Sequence, residues 1–147
     1  MHISCSSFCQ TENNSSLNKC LSEIRNTKFD SVGSLREIPI FISKKLKQKC
    51  GKDFHIFSDK DYRKKFRRNP YRTDLYLFQL AMSSAGYYLI RFLHNGDLYS
   101  TGYLAIFKCE QNKIVESCVL DVCFYCSTGD MINNLNRYPL RLAPEFN

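Results

Sequence analysis

Twelve of the 21 lysines and arginines lie between Lys44 and Arg72 among only three acids, so that stretch carries +9 and the rest of the 147-residue chain −2. A block of this kind suits a phosphate backbone, an acidic protein surface, an anionic membrane or a nuclear-import receptor, and charge alone does not choose among them. Its main contributors are Lys44, Lys45, Lys47 and Lys49, then Lys60, Arg63, Lys64, Arg67 and Arg68, then Tyr71 and Arg72. Phosphate contact needs only density of charge. Tyr62, Phe66 or Tyr71 would add a face on which an exposed base can stack, wherever the core does not claim the ring.

Thiols are the other source of chemistry. Cys118, Cys123 and Cys126, with Cys109, invite a zinc reading, because clustered thiolates suit a tetrahedral site. In a regular strand, however, Cys118 and Cys126 stand roughly 26 Å apart at ~3.3 Å per residue, and Cys123 points to the opposite face. Only a break near Cys123, with Cys123 and Cys126 in a C-x-x-C turn, would rescue the site. His2 with Cys5, Cys9 and Cys20 is a weaker pattern still. Neither metal nor cofactor is expected, and a buried cysteine acting as a small hydrophobe is the simpler reading.

A cysteine hydrolase would need a thiol beside His2, His55 or His94. His94 flanks a turn, and His55 lies in a short apolar run that suits a half-buried imidazole. There is no Gly-rich phosphate loop, His-Glu-x-x-His pair, Gly-x-Ser-x-Gly elbow or telling carboxylate pair. The expectation is a protein that is not an enzyme.

The elements that position the charge are partly readable. Ser58 is placed as an N-cap with Asp61 three residues on, Phe57 and Tyr62 are spaced as a hydrophobic staple, and Asn69-Pro70 is a stop, so a helix is predicted over Asp59 to Arg68. On its wheel Tyr62 and Phe66 form an apolar seam, while Lys60, Arg63, Lys64, Arg67 and Arg68 fill the far side. Three like-charge pairs at i, i+4 cost about 1 kcal/mol together. Asp59 and Asp61 at one end and Arg67 and Arg68 at the other regain ~0.3 to 1 kcal/mol each through the helix dipole. The balance is near zero, so a solvated face is as consistent with local energetics as a binding face.

A second helix is predicted from about Pro39 to Cys50, with Ile42, Leu46 and Cys50 on one stripe and Gly51 as its stop; Ile38 to Ile42 as a strand is the alternative. The two basic helices could flank one groove. A short helix through Leu17, Cys20, Leu21 and Ile24 ends near Asn26. Phe54 to Phe57 reads as a strand or connector, and Leu75, Leu77, Phe78, Ala81 and Met82 as a helix or, alternatively, a strand.

Asn95-Gly96 between Tyr87–Leu93 and Leu98–Cys109 is a strong hairpin signal. A two-residue turn there pairs Leu93 with Leu98, Phe92 with Tyr99 and Ile90 with Thr101. A second turn at Gln111 and Asn112 pairs Phe107 with Glu116, Ala105 with Cys118 and Tyr103 with Leu120. Alternation then places Tyr88, Ile90, Phe92, Tyr103, Ala105, Phe107, Cys118, Leu120 and Val122 on the helix-covered face. The other face holds Arg91 and Asp121, which could pair, among Leu89, Leu93, Leu104, Ile106 and Val119. That second face is either exposed, as a homodimer surface, or covered by the amino-terminal helices.

The chain is therefore expected to be one α+β domain over 15–147: amino-terminal helices on a three- to four-stranded antiparallel meander, after a disordered segment 1–14. An irregular tail from about 127 wraps its surface. No apolar run approaches the ~20 residues of a membrane span, and the first residues have no secretory pattern, so a cytoplasmic or nuclear location and reduced thiols are expected. The leading functional expectation is a small basic accessory protein that binds nucleic acid, RNA before a specific DNA site, because no helix sets Asn or Gln beside Arg for base reading. The alternative is a protein-interaction module whose basic helix is an import signal or acidic-partner site; a cysteine-dependent hydrolase comes third.

Overall fold

The computed structural model describes residues 18–51, 54–70, 75–95, 100–122, 141–143 and 146. Helix α1 covers residues 18–25. Then follow β1 (Asp30–Val32), a 3-10 turn (Leu35–Glu37), α2 (Ile40–Cys50), β2 (Ile56–Phe57) and α3 (Asp59–Arg68). The carboxyl half supplies β3 (Tyr76–Ser83), β4 (Tyr87–Asn95), β5 (Ser100–Glu110), β6 (Lys113–Val122) and β7 (Arg141–Leu142). The architecture is α+β. The meander β3 to β6 is extended to a seven-stranded sheet ordered β1-β3-β4-β5-β6-β7, with β2 parallel to β3. Two expectations are thereby corrected: the sheet is wider than four strands, and the helices are interleaved with β1 and β2 rather than all preceding the sheet.

The added strands have a physical role. β1 pairs with Ala81–Ser83 at one end of β3, and β2 with Tyr76 and Leu77 at the other, so two short pieces share one sheet edge. β7 covers Leu120 and Asp121 of β6. Short covering strands of this kind blunt edges that would otherwise pair with other chains.

The run 75–82 is a strand, not a helix. Its register with β4 slips between Phe78 and Leu80, so the residues facing one side are Tyr76, Phe78 and, beyond the bulge at Gln79, Ala81. A bulge in a strand thus reproduces the i+3 interval of a helix.

Both sides of the sheet carry a core. On one, Ile42 and Leu46 of α2 pack with Phe54, Tyr88, Ile90, Phe92, Tyr103, Ala105, Phe107 and Val119. On the other, Leu21 and Ile24 of α1 pack with Tyr87, Leu89, Leu104, Ile106 and Leu120. The second face is therefore covered by the amino-terminal helix, the second of the two alternatives for it. Glu23 fastens α1 to the sheet: it accepts a hydrogen bond from the Tyr87 hydroxyl and lies 3.5 Å from Lys108 Nζ. Beyond Thr27, which donates to the Glu23 carbonyl at 2.7 Å, the chain leaves the helix for β1.

The β4–β5 register pairs Leu93 with Gly102, Phe92 with Tyr103 and Ile90 with Ala105, so the two-residue Asn95-Gly96 turn is corrected to a longer connection whose residues 96–99 lie outside those described. The slip is four residues. Because four is even, every β4 and β5 side chain keeps its expected face.

The β5–β6 turn does fall at Gln111 and Asn112, whose φ values of 51° and 61° close a two-residue hairpin pairing Glu110 with Lys113. The register then shifts after Cys109–Ile114, leaving Val115 as an extra residue, and Phe107 pairs with Ser117, Ala105 with Val119, Tyr103 with Asp121. An odd shift reverses every side chain beyond it. Cys118 and Leu120 consequently face α1, and Val119 faces α2, opposite to expectation. Alternation also sends Asp121 and Arg91 out of opposite faces, whereas the reading above set both on one.

Of the carboxyl-terminal tail, most of which lies outside the described residues, Ala143 and Phe146 are buried rather than wrapped over the surface. Phe146 lies 5.0 Å from the Tyr103 ring and 5.8 Å from Phe54.

Gly51 ends α2 at φ +107° and ψ 149°, a region open in practice to glycine alone, while its N–H bonds the Lys47 carbonyl at 2.8 Å. Among the described residues, apart from the chain neighbours of Gly51, no atom lies within 4 Å of where a Cβ would stand. Gly51→Ala should therefore cost about 1–3 kcal/mol through backbone strain alone. Thermal unfolding of the variant measures it, and an unchanged midpoint would mean that the strained conformation is not retained in solution.

Candidate nucleic-acid interface

α3 forms where its caps predict. The Ser58 hydroxyl accepts from the Asp61 N–H at 3.4 Å, and the Asn69 N–H closes on the Lys65 carbonyl at 3.1 Å. Tyr62 is buried at 7 % exposure, whereas Phe66 is 41 % exposed. The expected apolar seam is thus split: Tyr62 anchors the helix, and Phe66 stacks on it with ring centroids 6.2 Å apart and planes at 9°, its own side chain left toward solvent. Lys65, which the wheel sets apart from the cationic arc, lies over the Phe57 ring at 5.0 Å. That contact ties the helix back to β2.

Lys60, Arg63, Lys64, Arg67 and Arg68 are all exposed. Arg63 Nε meets Asp59 at 3.1 Å, with side chains 68 % and 63 % exposed, an i, i+4 pair worth only ~0.3–0.5 kcal/mol. Lys60, Lys64, Arg67 and Arg68 have no carboxylate partner among the described residues. The arc is a solvated array of cations with one flat ring at its border.

On α2, Lys44 and Lys47 are exposed and Lys45 and Lys49 half-buried. Phe41, Lys44, Lys45 and Gln48 stand at i, i+3, i+4 and i+7 and therefore share one face, next to the Ile42–Leu46 stripe that enters the core. That face forms one wall of an open groove of about 530 Å³ whose other wall is Asn112, Lys113 and Ile114 of the β5–β6 turn. The groove beside α2 is accordingly made with the hairpin turn, and none of its lining comes from α3. The sequence reading missed Phe41 and Lys113. Phe41 falls off the core stripe and directly beside two lysines, which was a usable signal; Lys113 gave none, being brought to α2 only by the fold. Tyr71 and Arg72 lie outside the described residues.

The remaining candidates carry less. Cys123 and Cys126 are also outside the described residues, as are His2, Cys5 and Cys9. His55 is exposed rather than half-buried, and His94 is half-buried with its ring stacked 4.7 Å from Tyr76. Cys20, Cys50, Cys109 and Cys118 are free thiols. Burial pushes all four upward, Cys50 and Cys118 to about 12. Such thiols are protonated at neutral pH and poor nucleophiles.

They also set an alkaline limit. A buried acid with a raised folded pKa contributes stability that is complete below the unfolded value near 9 and lost as pH rises toward 12. For Cys118, the most deeply buried of the four, the slope is up to about 1.4 kcal/mol per pH unit across that window. Urea unfolding at pH 8 and pH 10.5 should show lower stability at the higher pH, and Cys118→Ala should flatten that dependence. An equal slope in the variant would mean that Cys118 ionises freely in the folded protein.

No helix among the described residues is long and apolar enough to cross a membrane. Compared with known protein families, with curated proteins and with solved structures, the chain matches none.

Proposed function

We propose that this chain is a small basic protein that binds nucleic acid, RNA before a specific DNA site, and acts by stoichiometric binding without a catalytic step. The observation that carries the reading is the exposed arc of α3. Lys60, Lys64, Arg67 and Arg68 stand in solvent without a carboxylate partner among the described residues, at the edge of an exposed Phe66. A face meant only for solubility usually mixes signs, and like charges at i, i+4 repel unless an anion lies between them. A phosphate backbone supplies that anion at the required spacing. Exposed rings beside the cations suit bases that are not already stacked in a duplex, which favours RNA loops and single strands.

The test is fluorescence anisotropy of labelled RNA and DNA, single- and double-stranded, against nuclease-treated protein across a salt series. Contact with roughly four to seven phosphates gives a log–log slope of about −3 to −5 on single strands. No binding at about 50 mM salt would overturn the reading. The charge would then belong to an acidic protein partner or an import receptor, and residues 58 to 72 fused to a reporter would carry it to the nucleus in the second case.

A further inference from the structure

Resting on that reading, we propose that the groove between α2 and the β5–β6 turn is the seat of a single-stranded nucleic acid, with an unpaired base on Phe41 and backbone phosphates on Lys44, Lys45 and Lys113. Three independent features converge. The first is the exposed ring: Phe41 is 40 % accessible although the same helix buries Ile42 completely. An aromatic side chain held on a rigid helix and open on one face is a stacking platform whose ordering cost has already been met by folding. The second is charge. Three of the seven lining residues are lysines, none is acidic, and they come from two elements, so an anionic chain lying in the groove meets cations on both sides.

The third feature is the polar complement. Gln48 and Asn112 line the same groove, one from each wall. Each amide offers both donors and an acceptor, which suits the Watson–Crick edge of a splayed base. Lys45 Nζ already donates to Gln48 Oε1 at 3.5 Å, a long contact that a phosphate could replace. Asn112 is held in place by the turn itself, its φ of 61° being the left-handed conformation that the two-residue hairpin requires. The groove is open rather than enclosed, so it suits a strand passing through better than a small molecule needing most of its surface buried. A duplex keeps its bases stacked and cannot offer one to Phe41. The groove therefore discriminates by strandedness, adding a second exposed ring to Phe66 at the border of the α3 arc.

The experiment measures anisotropy of a labelled oligouridine of about a dozen nucleotides, of an RNA duplex and of an oligoglutamate peptide, with wild type and with Phe41→Ala, Phe41→Trp, Lys113→Gln and Arg67→Glu/Arg68→Glu. Phe41→Ala, at an exposed position, should keep the fold and lose about tenfold or more in affinity for oligouridine with an unchanged salt slope, while Phe41→Trp retains it. Lys113→Gln should reduce the single-strand slope by about 0.7. Neither Phe41 variant should alter duplex affinity. If Phe41→Ala and Lys113→Gln bind oligouridine like wild type while Arg67→Glu/Arg68→Glu fails, the nucleic-acid reading stands and this assignment of the groove is wrong. If wild type binds no nucleic acid, both fall. Binding of oligoglutamate lost in Phe41→Ala, without binding of oligouridine, would assign the groove to an acidic peptide instead.

Discussion

Phe92→Ala is expected to cost about 3–5 kcal/mol, the range for removing a large aromatic side chain from a core. Phe92 is fully buried. Its ring lies 5.3 Å from Tyr103, 5.5 Å from Phe54, 5.9 Å from Tyr76 and 6.2 Å from Phe146. Those partners come from β5, the segment before β2, β3 and the carboxyl-terminal end, so one ring joins parts of the chain that are far apart in sequence. Few of them can move inward to fill the void, because each is fixed by its own strand or by burial, and a site that cannot collapse sits at the upper end of the range. Against a total stability of about 5–15 kcal/mol the loss is severe, and it should lower the melting temperature by about 10–15 °C. Phe92→Leu, which keeps most of the volume, should cost clearly less. Phe66→Ala, at a 41 % exposed ring, should stay within about 0.5 kcal/mol. Chemical denaturation of the three variants decides the matter: a Phe92→Ala midpoint close to wild type would mean that the carboxyl-terminal segment and the meander do not share one core.

What the sequence disclosed follows how local each signal is. α2 and α3 are written in adjacent residues: Pro39 and Gly51 bracket the first, Ser58, Asp61 and Asn69 the second, and the structure keeps those limits. The faces of β4 and β5 were legible even though the Asn95-Gly96 turn was placed too tightly, because the error of four residues is even. β6 was reversed by a single residue, Val115, and nothing local marks an extra residue in an apolar strand. β1, β2 and β7 are two or three residues long, and their pairing depends on partners remote in the chain. Propensity has almost no purchase on pieces so short. The candidate site divides in the same way. The α3 arc was readable from helical period alone. The α2 groove was half readable, its Phe41–Gln48 wall lying on one stripe, while Asn112, Lys113 and Ile114 reach it only through the tertiary fold.

Arg67→Glu/Arg68→Glu should separate binding from folding more sharply than any other change. Reversal takes the Lys44–Arg72 stretch from +9 to +5. On folding, two opposing terms act. Glutamates at the carboxyl end of α3 oppose the helix dipole by ~0.3–1 kcal/mol each. The same glutamates replace the like-charge pairs Arg63/Arg67 and Lys64/Arg68 with attractive ones worth ~0.2–0.5 kcal/mol each. The net change is within about 1 kcal/mol, so the variant should be folded. On binding, both terms act together. Each lost phosphate contact removes about 1.4 kcal/mol, a factor of about ten, and each new carboxylate repels the backbone besides. Affinity for RNA at low salt should therefore fall by about 100-fold or more, and the log–log salt slope on a single strand by about 1.4. The neutral pair Arg67→Gln/Arg68→Gln should lose the slope equally but less of the affinity, since it removes contacts without adding repulsion. If both variants bind with wild-type slope and affinity, the end of α3 does not touch phosphate, and the charge on that helix is left to a protein partner.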